Sequence, residues 1–435
     1  MRLVLFACLA TPLVAHADPE DTLVDHPAEA RWWLSGQANA ILQAQPGFHD
    51  PYDGDNSLRS DKHAALSFVG TVYGGVELTP TTAIVIAGES AGGGGLSDAL
   101  GLGGFTNLDV VRNPSLGATP YVARAFIQQI IPLSEAEAHE RDPLHVLRTL
   151  PPRRIEIVAG KLSLSESLDL NNVGTDSHAQ FMNWTVDNNG AWDYAADTRG
   201  YTLGAIIGYV EPLWAVRFGE LLMPTVANGI DYDFDIAHAR GENLEVELHD
   251  CIAGHPGKVR VLGYLNHANM GSYAETNAIA RLDGATPDIT TDRVKGRTKY
   301  GFGVNDEQEI TDELRAFGRL GWADGKNEAF AYTEVDNTVE LGFDLRVPHG
   351  KLGAALVSNG LSEEHRTYLA LGGKGFLLGD GKLRYGREDI AEVYFTARAY
   401  RGVFPAVDLQ LIEHPGYNRD RGPVAVGSLR LHVEI

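Results

Sequence analysis

The 435-residue chain has only two cysteines and no long apolar run beyond its first residues. Each of these absences excludes one class of architecture. Cys8 falls within a predicted signal peptide, which leaves Cys251 without a partner and excludes a disulfide framework. No later segment approaches the roughly 20 apolar residues that a membrane-spanning helix needs. If the protein spans a membrane, it must do so with strands, and its stability must come from a large sheet or a core.

Positive charge is scarce as well, because 36 Lys and Arg residues stand against 58 Asp and Glu residues, a formal net charge of -22. Nucleic-acid backbones attract Lys and Arg, so this balance argues against a nucleic-acid partner. The glycine clusters at residues 92–95 and 101–104 lack the spacing of a phosphate-binding loop, and the histidines form no H-E-x-x-H motif. We predict no cofactor, no metal site and no catalytic residues.

The amino terminus has the features of an export signal. A basic residue precedes a short apolar run, and an A-x-A sequence at residues 15–17 follows it. We predict a signal peptide over residues 1–17, since the run is too short for a transmembrane helix. Residues 18–31 are then predicted to be a periplasmic leader, and residues 32–435 to be one domain.

The end of the chain has a clear secondary-structure pattern. Apolar and polar residues alternate strictly from Ser428 to Ile435, and period two is the period of a strand. In a soluble sandwich the apolar face would meet a core, whereas in an outer-membrane barrel it would meet lipid and the polar face would meet a wet channel. The number of such strands and the lengths of their connections decide between the two folds.

The strand pattern recurs at about sixteen places along the chain. The predicted strands cover residues 32–44, 64–78, 83–90, 121–131, 154–161, 201–210, 213–222, 243–251, 258–266, 298–309, 314–323, 331–347, 351–358, 389–400, 404–413 and 424–435. Their number is even, and short connections alternate with long ones, as in bacterial outer-membrane barrels. We predict an all-β fold, a transmembrane antiparallel β-barrel of about sixteen strands with an infolded loop and short helical insertions, one of them at residues 132–152.

About sixteen strands enclose an interior too wide for strand side chains to fill, so the polar strand faces would line an aqueous path. The predicted pore-lining residues on or beside the strands are Arg124, Glu156, Arg217, Arg319, Glu340, Glu392 and Arg398. For each of them the alternative is a polar side chain that its neighbours or water satisfy.

Seven strings of residues can be compared with known families. They are G-G-F-T-N-L-D at residues 103–109, G-K-L-S at 160–163, L-D-L-N-N at 168–172, Q-F-M-N-W at 180–184, N-N-G-A-W-D-Y-A-A-D-T-R-G-Y at 188–201, N-G-L-S at 359–362 and H-P-G-Y-N-R-D-R-G-P at 414–423. In these strings the chain closely resembles the carbohydrate-selective porins of the OprB family, and the resemblance extends over nearly the whole predicted mature chain. It implies a sixteen-stranded outer-membrane barrel through which sugars such as glucose pass by diffusion. The final residue departs from the pattern, because such barrels usually end in Phe and this chain ends in Ile435.

The longest predicted connection, residues 162–200, carries the other candidate site residues. A connection of this length in a compact barrel is functional or disordered, and its aromatic, Asn and Asp content favours order. Folded into the lumen it would narrow the pore, with Trp184 and Trp192 offering flat apolar surfaces to a sugar ring. The predicted hydroxyl-binding residues are Asn171, Asn189, Asp193, Asp197 and Arg199. Alternatively, the aromatic side chains pack the loop against the barrel wall.

We therefore predict a passive, carbohydrate-selective channel in the bacterial outer membrane, and not an enzyme. Its predicted partners are small neutral sugars and outer-membrane lipid, because charges of both signs along the lumen suit a neutral solute. Association into homo-oligomers stays open. Two other functions stay open as well: an outer-membrane barrel enzyme or adhesin that acts through its long external loops, and a non-selective general porin.

Overall fold

The structure, a computed structural model, describes residues 22–110 and 116–435. In this part of the chain sixteen strands close into one antiparallel barrel, which confirms the predicted fold class and strand number. The predicted signal peptide, residues 1–17, lies outside the described residues.

The strands and helices are numbered in the order in which they follow one another along the chain. The strands are β1 Trp32–Gln45, β2 His63–Thr79, β3 Thr82–Gly93, β4 Tyr121–Pro132, β5 Glu137–Ala138, β6 Thr149–Leu150, β7 Arg154–Leu162, β8 Thr202–Glu211, β9 Trp214–Leu222, β10 Arg240–Ile252, β11 His255–Met270, β12 Val294–Glu309, β13 Leu314–Ala323, β14 Asn337–Val347, β15 Gly350–Gly360, β16 Glu388–Ala397, β17 Val403–Glu413 and β18 Val424–Glu434. The helices are α1 Trp184–Asp187, α2 Tyr273–Asp283 and α3 Glu363–Ala370. None of the helices in the described residues is long and apolar enough to cross a membrane.

Strand pairing is continuous around the barrel, because each barrel strand pairs with the next one along the chain and β1 pairs with β18. Ala40 of β1 lies opposite Phe68 of β2 on one side and opposite Leu431 of β18 on the other. Strands β5 and β6 lie outside the barrel and pair with each other, so that β4 pairs with β7. A closed barrel of this kind leaves no unpaired sheet edge.

Side chains of the barrel strands alternate between the outer surface and the lumen. In β18, Leu429 and Leu431 are 57% and 48% exposed on the outside, whereas Arg430 and His432 are buried inside. The same alternation in β14 leaves Leu341 62% exposed. Apolar side chains as exposed as these form the outward band that lipid hydrocarbon covers in a membrane barrel.

The connections at the two ends of the barrel differ in length, with one exception to the predicted alternation. Two-residue turns join β2 to β3, β8 to β9, β10 to β11 and β14 to β15 at one end. The connection from β4 to β7 lies at the same end, but it spans residues 133–153 and contains β5 and β6. The prediction of a helix at residues 132–152 is therefore wrong.

Proline and local hydrogen bonds account for the missing helix in this segment. Pro143 lies inside it, where a proline removes a helical hydrogen bond. The Asp142 carboxylate accepts a hydrogen bond from the backbone N–H of Leu144 at 2.7 Å, which favours a turn. Arg148 then binds Glu77 at the end of β2, with 2.8 Å between Nη2 and Oε1, and fixes the segment against the mouth of the barrel.

The long connections at the opposite end fold into the lumen and build a hydrophobic core inside the barrel. The infolded segments include residues 94–110, 163–201, 324–336 and 361–387. Among their aromatic side chains, Phe105, Trp184 and Tyr332 are at most 3% exposed. The predicted infolded loop is therefore confirmed, and it is joined by other connections that leave only part of the interior to solvent.

The beginning of β14 differs from the prediction. Residues 331–336 alternate like a strand in sequence but leave the barrel wall, and β14 begins at Asn337. The carboxylate of Glu334 accepts hydrogen bonds from the N–H groups of Leu377 and Leu378, both at 2.7 Å. These contacts with another connection hold the segment inside the lumen, so the local alternation does not produce a strand there.

A buried histidine joins two of the infolded connections. His365 of α3 is fully buried, with its Nδ1 3.0 Å from Asp336 Oδ2 and its Nε2 3.6 Å from Glu334 Oε1. Its ring stacks on Tyr273 of α2 with 4.3 Å between centroids. Burial alone lowers the pKa of His365, but the two carboxylates outweigh burial and raise the pKa to about 9.

We expect the connections around His365 to loosen at alkaline pH. A histidine whose folded-state pKa exceeds its unfolded value stabilises the fold fully below about pH 6.5, and this contribution is lost as the pH rises through about 9. Limited proteolysis of the purified protein is therefore expected to cut this end of the barrel faster at alkaline than at neutral pH. The His365→Gln variant is expected to lose this pH dependence, and a variant that retained it would contradict the assignment.

Candidate functional site

A cavity of about 290 Å³ remains between the barrel wall and the infolded connections. Strands β3 and β4 supply one side of it, and residues of the 163–201 connection supply most of the other. Strand side chains reach the cavity because every second residue of a strand points to the same face. The cavity therefore brings together groups that are far apart in sequence.

Aromatic rings form one part of the cavity wall. Trp184 and Tyr332 stack with 5.9 Å between ring centroids and 9° between ring planes. The indole Nε1 of Trp184 donates to Asn107 O at 2.6 Å. The helix α1 begins at Trp184 and is capped by Asn183, whose side chain accepts a hydrogen bond from the Thr185 N–H. These contacts fix the two rings, which are 2% and 3% exposed and reach the cavity with a small part of their apolar surface.

Paired charges form the strand side of the cavity. Arg124 of β4 donates from Nε to Glu166 Oε1 at 2.9 Å, and its Nη1 lies 3.7 Å from Glu89 Oε2. The Tyr201 hydroxyl donates to the same Glu89 oxygen at 2.9 Å, and the Arg124 guanidinium lies 5.0 Å from the centroid of the Tyr201 ring. Because these charged groups have partners of opposite sign, the wall keeps its hydrogen-bonding groups in fixed positions.

A second ion pair lies in the loop part of the wall. His178 Nε2 is 3.3 Å from Asp109 Oδ1. Burial lowers the pKa of His178, but the Asp109 carboxylate outweighs burial and raises the pKa to about 9. Burial raises the pKa of Asp109, yet the His178 charge and the hydrogen bonds from His178 and Asn39 bring it below its ordinary value. Both groups are therefore charged at neutral pH.

Asp187, the last residue of α1, faces the cavity without an ion-pair partner among the described residues. It is 3% exposed, and within those residues its side chain accepts one hydrogen bond, from Asn188 Nδ2. Burial raises the pKa of Asp187 to about 7. A buried carboxylate beside open space, with one neutral donor, favours a solute that donates hydrogen bonds.

Within the described residues, neither a metal-binding group nor a hydrolase motif in its usual position accompanies this cavity. The described residues hold no group of three or more His, Cys, Asp or Glu side chains that could bind a metal ion. A G-x-S-x-G string does occur at residues 88–92, but hydrolases place this motif on a strand-to-helix turn, and here it lies within β3. Ser90 Oγ donates to Ala118 O at 2.7 Å. The string is therefore part of the barrel wall.

The chain matches the family model described as "Carbohydrate-selective porin, OprB family" over residues 86–435. The chain belongs to this family. A comparison with curated proteins gives no match. Membership of the OprB family confirms the resemblance seen in the sequence and makes the protein a sugar-selective channel of the bacterial outer membrane.

One solved structure has the same fold as this OprB-family protein. The high-pH structure of Pseudomonas putida OprB aligns with a TM-score of 0.71 at 14% sequence identity, covering 93% of this chain and 94% of that chain. The outer membrane channel DcaP of Acinetobacter baumannii aligns with a TM-score of 0.48 at 9% identity, covering 93% of this chain and 97% of that chain. The likeness to Pseudomonas putida OprB shows a shared barrel fold and nothing about individual residues.

Three of the fourteen predicted site residues of this porin line the cavity: Arg124, Trp184 and Arg199. The guanidinium of Arg199 lies 3.7 Å from the centroid of the Tyr121 ring, which holds it at the edge of the cavity. A role for these three residues in permeation stays a prediction.

Asp193 and Asp197, predicted to bind sugar hydroxyls, bind protein groups in the structure. The Asp193 carboxylate accepts hydrogen bonds from the N–H groups of Phe330 and Ala331 at 2.8 and 2.7 Å. Asp197 Oδ1 accepts a hydrogen bond from the Tyr201 N–H at 3.2 Å. Both carboxylates are almost fully buried, so they hold the infolded connection that carries the aromatic wall.

Asn171, Asn189 and Trp192 are buried in a similar way. Asn171 Nδ2 donates to Asn305 Oδ1 at 2.7 Å, and Asn189 Oδ1 closes a local turn. Trp192 Nε1 donates to Asn243 Oδ1 at 2.9 Å. These contacts correspond to the alternative in which residues of the connection pack it against the barrel wall.

Arg319, Glu340 and Glu392 point into the lumen but are covered by infolded connections. Arg319 Nη1 is 3.2 Å from Glu340 Oε1, and Glu392 Oε1 accepts a hydrogen bond from the Met182 N–H at 2.6 Å. All three side chains lie in residues that are at most 1% exposed. In the structure they join the barrel wall to the loops.

Glu156, Arg217 and Arg398 lie apart from the cavity, toward the end of the barrel with the short turns. Glu156 accepts a hydrogen bond from Gln128 Nε2 at 2.6 Å. Arg217 Nη1 is 3.3 Å from Glu245 Oε1, and Arg398 follows the last residue of β16. Of the predicted strand residues, only Arg124 therefore lines this cavity.

Sequence reasoning missed several residues of the cavity wall. They are Glu89, Glu166, Asp187, Tyr201 and Tyr332. Glu89 could have been found, because the period-two pattern of β3 places it on the same inward face as Ala87. Tyr332 and Asp187 lie on connections that are positioned by contacts distant in sequence, and no local pattern marks them.

Proposed function

We propose that this porin conducts small neutral sugars such as glucose by passive diffusion and that the cavity lies on their path. In this proposal the protein acts as a channel and not as an enzyme. The observation that carries the proposal is the combination of apolar side chains and fixed polar groups around one space of about 290 Å³. The path lies within a single barrel, so the proposal holds whether or not barrels associate into homo-oligomers.

A sugar has an apolar C–H face and a rim of hydroxyl groups, and the two kinds of wall fit these two surfaces. Trp184 and Tyr332, together with Leu108, supply apolar surface for the C–H face. Arg124, Glu166 and Glu89 supply donors and acceptors for hydroxyl groups. Because Arg124 forms ion pairs with both glutamates, most of the charge in this part of the wall is compensated, which suits a neutral solute better than a strongly charged one.

Liposome swelling in glucose, maltose and glucuronate tests the proposal. We expect rapid swelling in glucose, swelling slower by about tenfold in maltose, and slower swelling in glucuronate, because the path selects by size and by charge. Vesicles that contain heat-denatured protein are the control. Equal rates in all three solutes would indicate a non-selective general porin, and no swelling in any sugar would contradict the channel.

A further inference from the structure

The cavity wall contains more negative than positive groups. Its five carboxylates are those of Glu89, Asp109, Glu166, Asp176 and Asp187. Its positive groups are the guanidinium groups of Arg124 and Arg199 and the imidazole of His178, which is protonated at neutral pH. When all five carboxylates are ionised, the lining residues carry two negative charges in excess.

Three of the five carboxylates form ion pairs, and two do not within the described residues. Glu89 and Glu166 share one arginine, and Asp109 pairs with a histidine. The Asp176 carboxylate accepts hydrogen bonds from backbone N–H groups of its own turn. Asp187 has one neutral amide donor within the described residues. The two carboxylates outside an ion pair therefore lie on the same infolded connection.

Asn188 orients the Asp187 carboxylate at the cavity wall. Asn188 Nδ2 donates to Asp187 Oδ2, the one hydrogen bond that this carboxylate accepts within the described residues. Both residues line the cavity, and the Asp187 carboxylate favours a solute that brings N–H or O–H groups to it.

We propose that the channel passes protonated amino sugars faster than neutral sugars of the same size, that it disfavours acidic sugars, and that Asp187 is the specificity-determining residue. The inference rests on the proposed function, because it places the sugar in the same cavity. An ammonium group has three donors and no acceptor, so it matches the Asp187 carboxylate better than a hydroxyl does. A sugar carboxylate meets the carboxylates of Asp176 and Asp187 there, neither of which forms an ion pair within the described residues, and is repelled.

The preference for cations is expected to depend on pH. Burial raises the pKa of Asp187 to about 7, the positive charges of Arg319 and His178 lower it, and Asp176 and Asp109 raise it. The charge of Asp187 therefore changes near neutral pH, and a bound cation favours its ionised form. The preference for positively charged solutes is expected to increase as the pH rises.

Entry of glucose, glucosamine and glucuronate into proteoliposomes at neutral pH tests the proposal. We expect glucosamine to enter about three- to tenfold faster than glucose, and glucuronate to enter more slowly than glucose. In the Asp187→Asn variant we expect the ratio of glucosamine to glucose entry to fall to about one. The matched control is Asp53→Asn, which removes the same charge from an exposed residue outside the cavity and is expected to keep the wild-type ratio.

A wild-type ratio of one or less, or an Asp187→Asn variant with the wild-type ratio, would overturn the proposal. If the variant fails to fold, the zero-current potential of the unmodified channel in a KCl gradient is measured instead. A preference for K⁺ that grows with pH supports the proposal, and a preference for Cl⁻ overturns it. If glucosamine enters and glucose does not, the proposed function fails for neutral sugars while the selectivity inference stands. If neither sugar enters, both fail.

Discussion

Replacement of Ala91 by tryptophan is expected to reduce glucose permeation by about tenfold. Ala91 lies on the inward face of β3 and lines the cavity. An indole ring at this position occupies space that the cavity of about 290 Å³ otherwise leaves to solute. Glucose entry into proteoliposomes and single-channel conductance measure the effect. We expect the glucose flux to fall more than the conductance, because small ions pass a narrowed path more easily than a hexose does.

The matched control for this change lies on the same strand. Ile86 points outward and is 54% exposed, so Ile86→Trp adds the same ring to the lipid-facing surface. We expect wild-type glucose entry and conductance for this control. Equal losses in both variants would indicate damage to the barrel itself, whereas unchanged glucose entry in Ala91→Trp would show that sugar follows another route through the lumen.

The barrel could be predicted from the sequence because strand alternation is a local property. Leu429 and Arg430 already identify the two faces of β18, and about sixteen such segments with connections of alternating length define a membrane barrel. The two errors, at residues 132–152 and 331–336, lie where contacts with distant residues override the local pattern. Glu334, for example, binds backbone groups more than forty positions away, so no window of sequence could show that its segment leaves the wall.

The site could be predicted less completely, because a polar residue in a long connection can either bind other protein groups or face the cavity. Asp193 and Asp187 belong to the same connection and the same residue type, yet Asp193 binds backbone N–H groups while Asp187 faces open space. Composition does not distinguish these environments. Arg124 could be found because its strand fixes its direction, whereas Tyr332 reaches the cavity only through the fold of a separate connection.

Truncation of Arg319 to alanine is expected to destabilise the protein by about 3–5 kcal/mol. The guanidinium lies between two carboxylates, with Nε 3.3 Å from Asp169 Oδ2 and Nη1 3.2 Å from Glu340 Oε1. It also donates to Val186 O at 2.7 Å and to Thr175 Oγ1 at 2.6 Å. Its removal leaves two buried negative charges and unpaired acceptors at the place where β13 and β14 meet the infolded connection.

Two further variants separate the charge of Arg319 from its hydrogen-bond geometry. Arg319→Lys keeps the positive charge but loses the planar arrangement of donors, so we expect an intermediate loss of stability. Arg153→Ala removes a half-exposed arginine, 2.9 Å from Glu211 Oε2, and is expected to change the stability little because water screens this surface pair. Urea unfolding in lipid vesicles, followed by tryptophan fluorescence, measures all three variants. Equal losses of stability in Arg319→Ala and Arg153→Ala would show that the buried network does not hold the connection. A much larger loss of stability in Arg319→Ala means that the wall of the sugar path depends on a strand residue outside the cavity.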